Sequence, residues 1–369
     1  MKVAYYSPLP PSRSGIADYS ALLLPALAER MDVVVARKGR FRRDRFRRNP
    51  AADVCLYHVG NDPAEHGWIV EALRRRPGIV VLHEFVLHHL ISGITLARGD
   101  LEGYLQALER DAGLVGRLLG HAVADDRIKP LWETRPQDFP LAGEVLDLAT
   151  GLVVHSRYVE ERARAAGYRG PVWRIPMPAW PVPEVTPAGV EGSPLVGCFG
   201  HINESKRVPQ LCAAFARLHA RRPGARLLLV GSLSPRMPAL ELPEGVIRDE
   251  YVPEDRLWSL MAACDAIVGL RSPTMGETSA AAVRAMSLGK PLVVSDVGWF
   301  SELPDEVAVK VPVGEGEVEV LEAALERAVS SPEMGEAALR LAQTEHDLGR
   351  AADLYVSALE QALAPAVAA

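Results

Sequence analysis

Short apolar runs rich in Val, Ile and Leu alternate with longer stretches of helical periodicity along almost the whole chain. Runs near residues 2–6, 32–36, 53–58, 79–83, 151–154 and 172–175 predict strands in the first half. Helical spacing predicts helices near 16–30, 63–76, 86–97, 100–122 and 156–167. In the second half, strands are predicted near 195–199, 225–231, 246–249, 265–270, 291–295 and 307–311. Helices there are predicted near 206–221, 254–263, 278–288 and 316–329, with helical sequence closing the chain from about 333 to 363. Strands that alternate with helices imply parallel sheets covered by helices, so the fold class is α/β with doubly wound, Rossmann-like domains.

The alternation breaks once. Met177–Pro194 holds Pro178, Pro181, Pro183, Pro187 and Pro194 with Gly189 and Gly192. Proline cannot donate to a sheet ladder, so this stretch reads as a linker between domains. The expected layout is an N-terminal domain over 1–180, a linker over 181–194, a C-terminal domain over 195–344, and a closing helical segment over 345–369. Ligands of open parallel sheets bind at the carboxyl ends of the strands. Two such domains facing each other would share one cleft.

Composition narrows the class. An apolar content of 48% in 369 residues is ample for two cores. The net charge of −6 divides into +3 over residues 1–185 and −9 over the rest, which argues against a nucleic-acid binder. Only six lysines are present, and two of them, Lys206 and Lys290, fall in the motifs discussed below. Cys55, Cys198, Cys212 and Cys264 form no CxxC pair, each lies in an apolar segment, and no metal-ligand spacing is visible. The chain opens directly on a strand, with neither a secretory leader nor an apolar run long enough to span a membrane, so a cytoplasmic location is expected.

Several segments carry candidate chemistry. Gly276–Gly298 (GETSAAAVRAMSLGKPLVVSDVG) reads as a carboxylate, two hydroxyl residues, a short helix, a turn and a buried strand. Thr278 and Ser279 can cap that helix, and its three alanines leave room for a phosphate against free backbone amides. Lys206 and Arg207 sit at another helix start, which Pro209 fixes to within a few residues. Two cations at a helix N-terminus suit a diphosphate. Ser7–Gly15 lacks the glycines of a dinucleotide fingerprint, yet it is stiff and delivers amides at a helix start next to Gly15.

His83 and Glu84 follow a strand directly, as do Asn61 and, further on, His155, and each can face an acceptor hydroxyl. The histidine spacing around His83 does not match a zinc protease motif. The run Arg37–Arg48 is strongly basic with Phe41 and Phe46 interleaved. It is a solvated segment or a peripheral contact with an anionic membrane or acceptor.

SPLPPSRSGIADYS, LHEF at His83, VVHSRYV at His155, FGHINESKR at Gly200 and the Gly276–Gly298 segment together resemble the retaining glycosyltransferases of family 4, over nearly the whole chain. The resemblance implies the GT-B fold, two facing Rossmann-like domains with a closing helix that crosses back to the first. It implies a nucleotide sugar bound by the second domain, a carbohydrate or lipid-linked acceptor at the first, and no metal or other cofactor. Lys206 stands at the family's lysine position. His201 occupies the place of the usual arginine, so Arg207 is expected to assist Lys206 on the leaving diphosphate. Glu277 matches the glutamate that contacts the donor sugar, with Thr278 and Ser279 near the phosphate. Arg284 stands where a ribose-holding glutamate is usual. His83 would position the reacting hydroxyl, and Gly15 would allow close backbone approach. A GT-B epimerase or phosphorylase, or a non-catalytic nucleotide-sugar-binding subunit, would share much of this pattern.

Overall fold

Among the described residues, twelve strands arrange into two separate sheets of six, and every pairing in both is parallel. The computed structural model describes residues 1–12, 14–38, 51–235, 237 and 239–364. Contacts divide the chain into two units. The first comprises Met1–Pro176, the short segment Met275–Thr278 and the described residues from Leu348 on. The second comprises Met177–Thr274 and Ser279–Asp347.

The first unit runs β1 (Lys2–Tyr6), α1 (Gly15–Ala28), β2 (Asp32–Val35), β3 (Val54–Val59), α2 (Pro63–Arg75), β4 (Gly78–Leu82), α3 (His88–Ile94), α4 (Leu101–Ala124), α5 (Leu131–Thr134), α6 (Gly143–Leu148), β5 (Ala149–Val154), α7 (Arg157–Ala165) and β6 (Val172–Arg174). Its sheet order is β2-β1-β3-β4-β5-β6. The central strands β3 and β4 are buried at every residue, because helices cover both faces of the sheet. Side-chain caps fix where the helices begin. Ser14 accepts from Ala17 N at 3.1 Å, Asp62 from Ala64 N at 2.8 Å and Ser156 from Val159 N at 3.2 Å. α4 is broken at Ala112–Gly113, where Gly113 takes φ 60°, ψ −155°, a conformation only glycine adopts readily.

The second unit continues β7 (Leu195–Phe199), α8 (Val208–Arg221), β8 (Arg226–Val230), β9 (Val246–Asp249), α9 (Glu254–Ala263), β10 (Ala266–Gly269), α10 (Ala280–Ser287), β11 (Leu292–Ser295), β12 (Ala308–Val311), α11 (Glu317–Val329) and α12 (Pro332–Glu345). Its sheet order is β12-β11-β10-β7-β8-β9. The chain thus winds outward from β7 in one direction, returns, and winds outward from β10 in the other. β7 and β10 flank the point of reversal.

The closing helical sequence divides at residues 346–347 into α12 and α13 (Leu348–Leu363). α13 packs on α1 within the first unit. The hydroxyls of Tyr19 and Tyr355 meet at 2.7 Å, and Arg30 Nε donates to Asp353 at 2.6 Å. The proline-rich stretch contains no regular element, as expected of it, but it is pinned along the second unit. His346 Nδ1 lies 2.7 Å from Met177 O, Ala179 N donates to His346 O at 2.7 Å, and Ser259 Oγ donates to Thr186 O at 2.6 Å. Among the described residues no helix is long and apolar enough to cross a membrane.

Candidate functional site

The carboxyl ends of β7 and β10 gather cations and small residues. Gly200, with φ 101°, directly follows β7, and Gly231, with φ 141°, directly follows β8. A Cβ on Gly231 would lie 2.1 Å from Gly200 O, so only glycine permits these two backbones to meet. Lys206 closes the short 3-10 turn Glu204–Lys206 that follows. Its side chain is 8% exposed and folds back so that Nζ donates to Phe199 O at 2.9 Å. His201 lies at the exposed rim, where Nδ1 sits 2.8 Å from Ser232 Oγ.

Arg207 stands in left-handed geometry at the start of α8, φ 52°. Its guanidinium is engaged by Glu317 through a two-pronged ion pair, with Nε donating to Oε1 at 2.6 Å and Nη2 to Oε2. Glu317 is only 2% exposed. The arginine expected to assist Lys206 is therefore committed to a buried carboxylate 110 positions away, which is a structural use. Arg271, to which the sequence reading gave no role, stands at the carboxyl end of β10. Its backbone N–H donates to Ser295 Oγ at 2.9 Å, and its Nη1 donates to Ser205 Oγ at 3.0 Å. The only signal in the sequence was a cation directly after a buried strand. The strand order that places it beside β7 is not written locally.

The Gly276–Gly298 segment forms its predicted elements. Met275–Thr278 packs with the first unit, where Phe85 N and Val86 N both donate to Met275 O, at 2.8 and 3.0 Å. Gly276 has φ 93°, and a Cβ there would meet Phe85 N at 3.0 Å. The Glu277 carboxylate accepts from Met275 N at 2.7 Å, which holds it over its own turn. Ser279 caps α10 by accepting from Ala282 N at 3.3 Å. The Thr278 hydroxyl is buried and has no hydrogen-bond partner among the described residues. Arg284 lies about one turn into α10 and is 8% exposed. Its guanidinium carbon is 3.9 Å from the centre of the Trp180 ring and 5.8 Å from that of Trp258, and Nη2 reaches Glu254 at 3.4 Å. In the place of a ribose-holding carboxylate, the chain thus carries a cation that clamps the proline-rich strap onto α9 and α10.

The first unit places histidines on three neighbouring strands. His58 lies in β3, and His83 and His155 directly follow β4 and β5. His58 Nδ1 and His83 Nε2 lie within hydrogen-bond distance at 3.0 Å, and the centres of the His83 and His155 rings lie 5.0 Å apart. Tyr19 packs edge-on to His83 at 4.9 Å, and His155 Nδ1 lies 2.8 Å from Ile175 O. Burial pushes the pKa of His58 and of His83 well below the ordinary imidazole value, and their histidine neighbours push it the same way. These rings are neutral at physiological pH.

Asn61 and Glu84 buttress the same strand ends. Glu84 Oε1 accepts from Asn61 N at 3.3 Å, and Asn61 Oδ1 accepts from Leu90 N at 3.1 Å. Gly15 begins α1 with open space where a Cβ would stand. Of the basic run Arg37–Arg48, residues 39–48 lie outside the described residues, and Lys38 Nζ donates to Ala64 O at 2.6 Å. Among the described residues no cluster of three or more His, Cys, Asp or Glu is disposed to hold a metal ion.

Two parallel, doubly wound six-stranded units are the architecture of GT-B glycosyltransferase structures. The chain matches sucrose-phosphate synthase from Thermosynechococcus elongatus with a TM-score of 0.65 at 17% identity, over 98% of each chain. It matches the Anabaena protein HepE in complex with UDP-glucose with a TM-score of 0.64 at 16% identity, over 98% of this chain and all of that one. WaaG, a glycosyltransferase involved in lipopolysaccharide biosynthesis, aligns with a TM-score of 0.56 at 14% identity, over 96% of this chain and 99% of that one. The fold is GT-B. Residues 193–331, which hold β7 through α11, match the sequence family described as "Glycosyl transferases group 1". No curated protein matches the chain by sequence.

Proposed function

We propose that the protein is a retaining glycosyltransferase that moves a sugar from a nucleotide-diphosphate sugar to an acceptor hydroxyl without a metal ion. The observation that carries the reading is the buried ammonium of Lys206 at the strand reversal of a group 1 glycosyl transferase domain. Its chemistry answers the need of the reaction. When the bond between the sugar's anomeric carbon and the phosphate oxygen breaks, the electron pair goes to the diphosphate, and a preorganised cation stabilises that charge. The UDP-glucose bound by HepE, a neighbour in fold, supports a nucleotide sugar as donor class.

On this reading Lys206 holds the diphosphate, and α10 with Thr278 and Ser279 offers amides and hydroxyls beside it. Glu277 orients the donor sugar. The neutral His83, held by His58, accepts from or donates to the acceptor hydroxyl, and His155, Asn61 and Glu84 shape its surroundings. The acceptor oxygen bonds to the anomeric carbon on the face the phosphate leaves, and the hydroxyl proton passes to the departing phosphate oxygen, so configuration is retained. No carboxylate nucleophile pair is then required.

The test is to supply UDP, GDP, ADP and TDP sugars with oligosaccharide acceptors in the presence of a chelator and to read the product by NMR. Transfer with the donor's anomeric configuration is expected. An inverted product, or turnover that stops with chelator and returns with a divalent cation, overturns the retaining or the metal-free part respectively. Conversion of the donor without any acceptor marks an epimerase, and a requirement for inorganic phosphate marks a phosphorylase.

A further inference from the structure

The buried histidines of the first unit make hydrogen bonds that fix which ring nitrogen carries the proton. A neutral imidazole has one N–H and one bare lone pair, and the bond made by one nitrogen sets the state of the other. Three of these rings face carbonyl oxygens. His66 Nδ1 lies 3.1 Å from His58 O, His88 Nδ1 lies 2.7 Å from Phe139 O, and His155 Nδ1 lies 2.8 Å from Ile175 O. A carbonyl oxygen only accepts, so each of these rings carries its proton on Nδ1.

His58 and His83 face each other instead. The His58 ring is fully buried, with its centre 4.5 Å from that of Tyr5, and His58 Nδ1 lies 3.0 Å from His83 Nε2. One of these two nitrogens donates and the other accepts. His58 Nε2 is buried and has no hydrogen-bond partner among the described residues. A proton on Nε2 would strand an N–H in the core, whereas a proton on Nδ1 leaves only a lone pair there. Among buried backbone groups, orphaned N–H donors are rarer than under-used acceptors, and the same desolvation argument holds for a ring. His58 Nδ1–H therefore donates to His83 Nε2, and the His83 proton sits on Nδ1. That nitrogen makes no hydrogen bond among the described residues, and His83 keeps 6% exposure where His58 has none.

We propose that His58 is a positioning residue that fixes His83 as a hydrogen-bond donor at Nδ1, so that His83 orients the acceptor hydroxyl and does not take its proton. The inference rests on the glycosyltransferase reading above. A doubly protonated ring would donate at both nitrogens, and burial opposes that form in His58 and in His83. The Nδ1–H holds one lone pair of the hydroxyl oxygen. The other lone pair forms the bond to the anomeric carbon, and the hydroxyl hydrogen passes to the departing phosphate oxygen. His83 ends the reaction with the proton it began with.

The experiment has two parts. Long-range proton–nitrogen NMR spectra of the wild-type protein at neutral pH show which nitrogen of each histidine ring is protonated, and spectra of His58→Asn and His83→Gln assign the two signals. His66, His88 and His155 serve as internal references for protonation at Nδ1. The signals of His58 and His83 should match them, and a wild-type His83 protonated at Nε2 overturns the proposal. Transfer is then measured with the acceptor varied, using the nucleotide sugar and oligosaccharide that turn over fastest, for the wild type, His58→Leu and His58→Asn. Asparagine keeps an N–H near the place of Nδ1, and leucine keeps none. His58→Leu should lower kcat/KM for the acceptor roughly 100-fold, the scale of misplacing a group at the reacting centre. Its nucleotide diphosphate affinity should stay within about twofold of wild type, and His58→Asn should recover most of the lost acceptor use. Equal losses in the two variants, or unaltered acceptor use in His58→Leu, overturn the positioning role. A wild type that shows the expected spectrum and turns over no nucleotide sugar overturns the transferase reading and leaves the proton placement standing.

Discussion

Both sheets are parallel and doubly wound, yet they differ in strand order and in what they present at their carboxyl ends. In the first unit, His58 in β3 and His83 and His155 just beyond β4 and β5 pack with Tyr19, and burial holds His58 and His83 neutral. In the second, β7 and β10 lead into Lys206 and Arg271, with Gly200, Gly231, Ser205 and Ser295 around them. A doubly wound sheet supplies a location, and the residues at the strand ends decide its chemistry. Neutral rings suit a hydroxyl that must be oriented and must lose its proton. Fixed cations suit an anion that gains charge. On the proposed reading, each sheet meets a different demand of one transfer reaction.

The largest expected effect that sharpens this contrast is at Lys206. Lys206→Ala should lower kcat for sugar transfer by roughly 100- to 1,000-fold, the scale of removing one preorganised charge-stabilising donor. His83→Ala should affect acceptor use and leave nucleotide diphosphate affinity unchanged. Steady-state kinetics with both substrates varied, together with nucleotide titration, separates the two. Equal losses of diphosphate affinity in both variants would erase the proposed division of labour.

Next in size is a loss of stability without a matching loss of binding. Arg207→Ala leaves Glu317, 2% exposed, without its partner. Removing one member of a buried pair costs about 3–5 kcal/mol, so the denaturant midpoint of the second unit should fall steeply. A midpoint within experimental error of wild type would show that the pair is idle.

The histidines set a third contrast, in pH. Burial lowers the pKa of His66 to about 4 and that of His88 to about 4, and lowers those of His58 and His83 well below the usual value. All four lie in the first unit. In the unfolded chain these groups titrate near 6.5. Between that pH and the folded values the unfolded state binds more protons, so the stability that His66 and His88 contribute is complete above about 6.5 and is lost as pH falls through about 4, and His58 and His83 act in the same direction. For His66 alone the shift corresponds to about 3 kcal/mol. Urea melts at pH 7 and pH 5 should show the first unit weakening on acidification, and His66→Gln should flatten that dependence. A wild-type stability that is level across this range would contradict the burial account. Smallest is the pair of helix caps: Ser14→Ala in α1 and Ser279→Ala in α10 should each cost about 1 kcal/mol by thermal denaturation.

Much of this was legible in the sequence because the strands are buried on both faces. VCLYHV, GIVVL and LVGCF read as continuous apolar runs with nothing to confuse their period, and each formed where expected. Ser156 and Ser279 marked helix starts through a local hydrogen bond that any reader of the sequence could anticipate. The break in α4 at Gly113 and the short helices α5 and α6 were not anticipated. They depend on packing around α4 and α6 rather than on periodicity.

In the candidate site, the place of Lys206 just before a helix start was legible and its surroundings were not. Arg207 looked like its partner because it is adjacent, yet its charge is spent on a glutamate that is remote in sequence. Arg271 looked ordinary because its position beside β7 depends on strand order. Arg284 announced itself only as a departure from a pattern. Its stacking on Trp180 gives that departure a use, since it fastens the strap to the second unit.

The central claim is that the strand reversal of the second unit binds a nucleoside diphosphate through protein cations. The most direct test is a thermal-shift series with UDP, GDP, ADP and TDP in the presence of a chelator, run on the wild type and on Lys206→Ala. Stabilisation grows as RT ln(1 + [L]/Kd), so at one hundred times Kd the favoured diphosphate should add about 2.7 kcal/mol and raise the melting temperature, while Lys206→Ala should show little or no shift. A melting temperature unmoved by all four diphosphates, or moved equally in wild type and Lys206→Ala, would contradict the account.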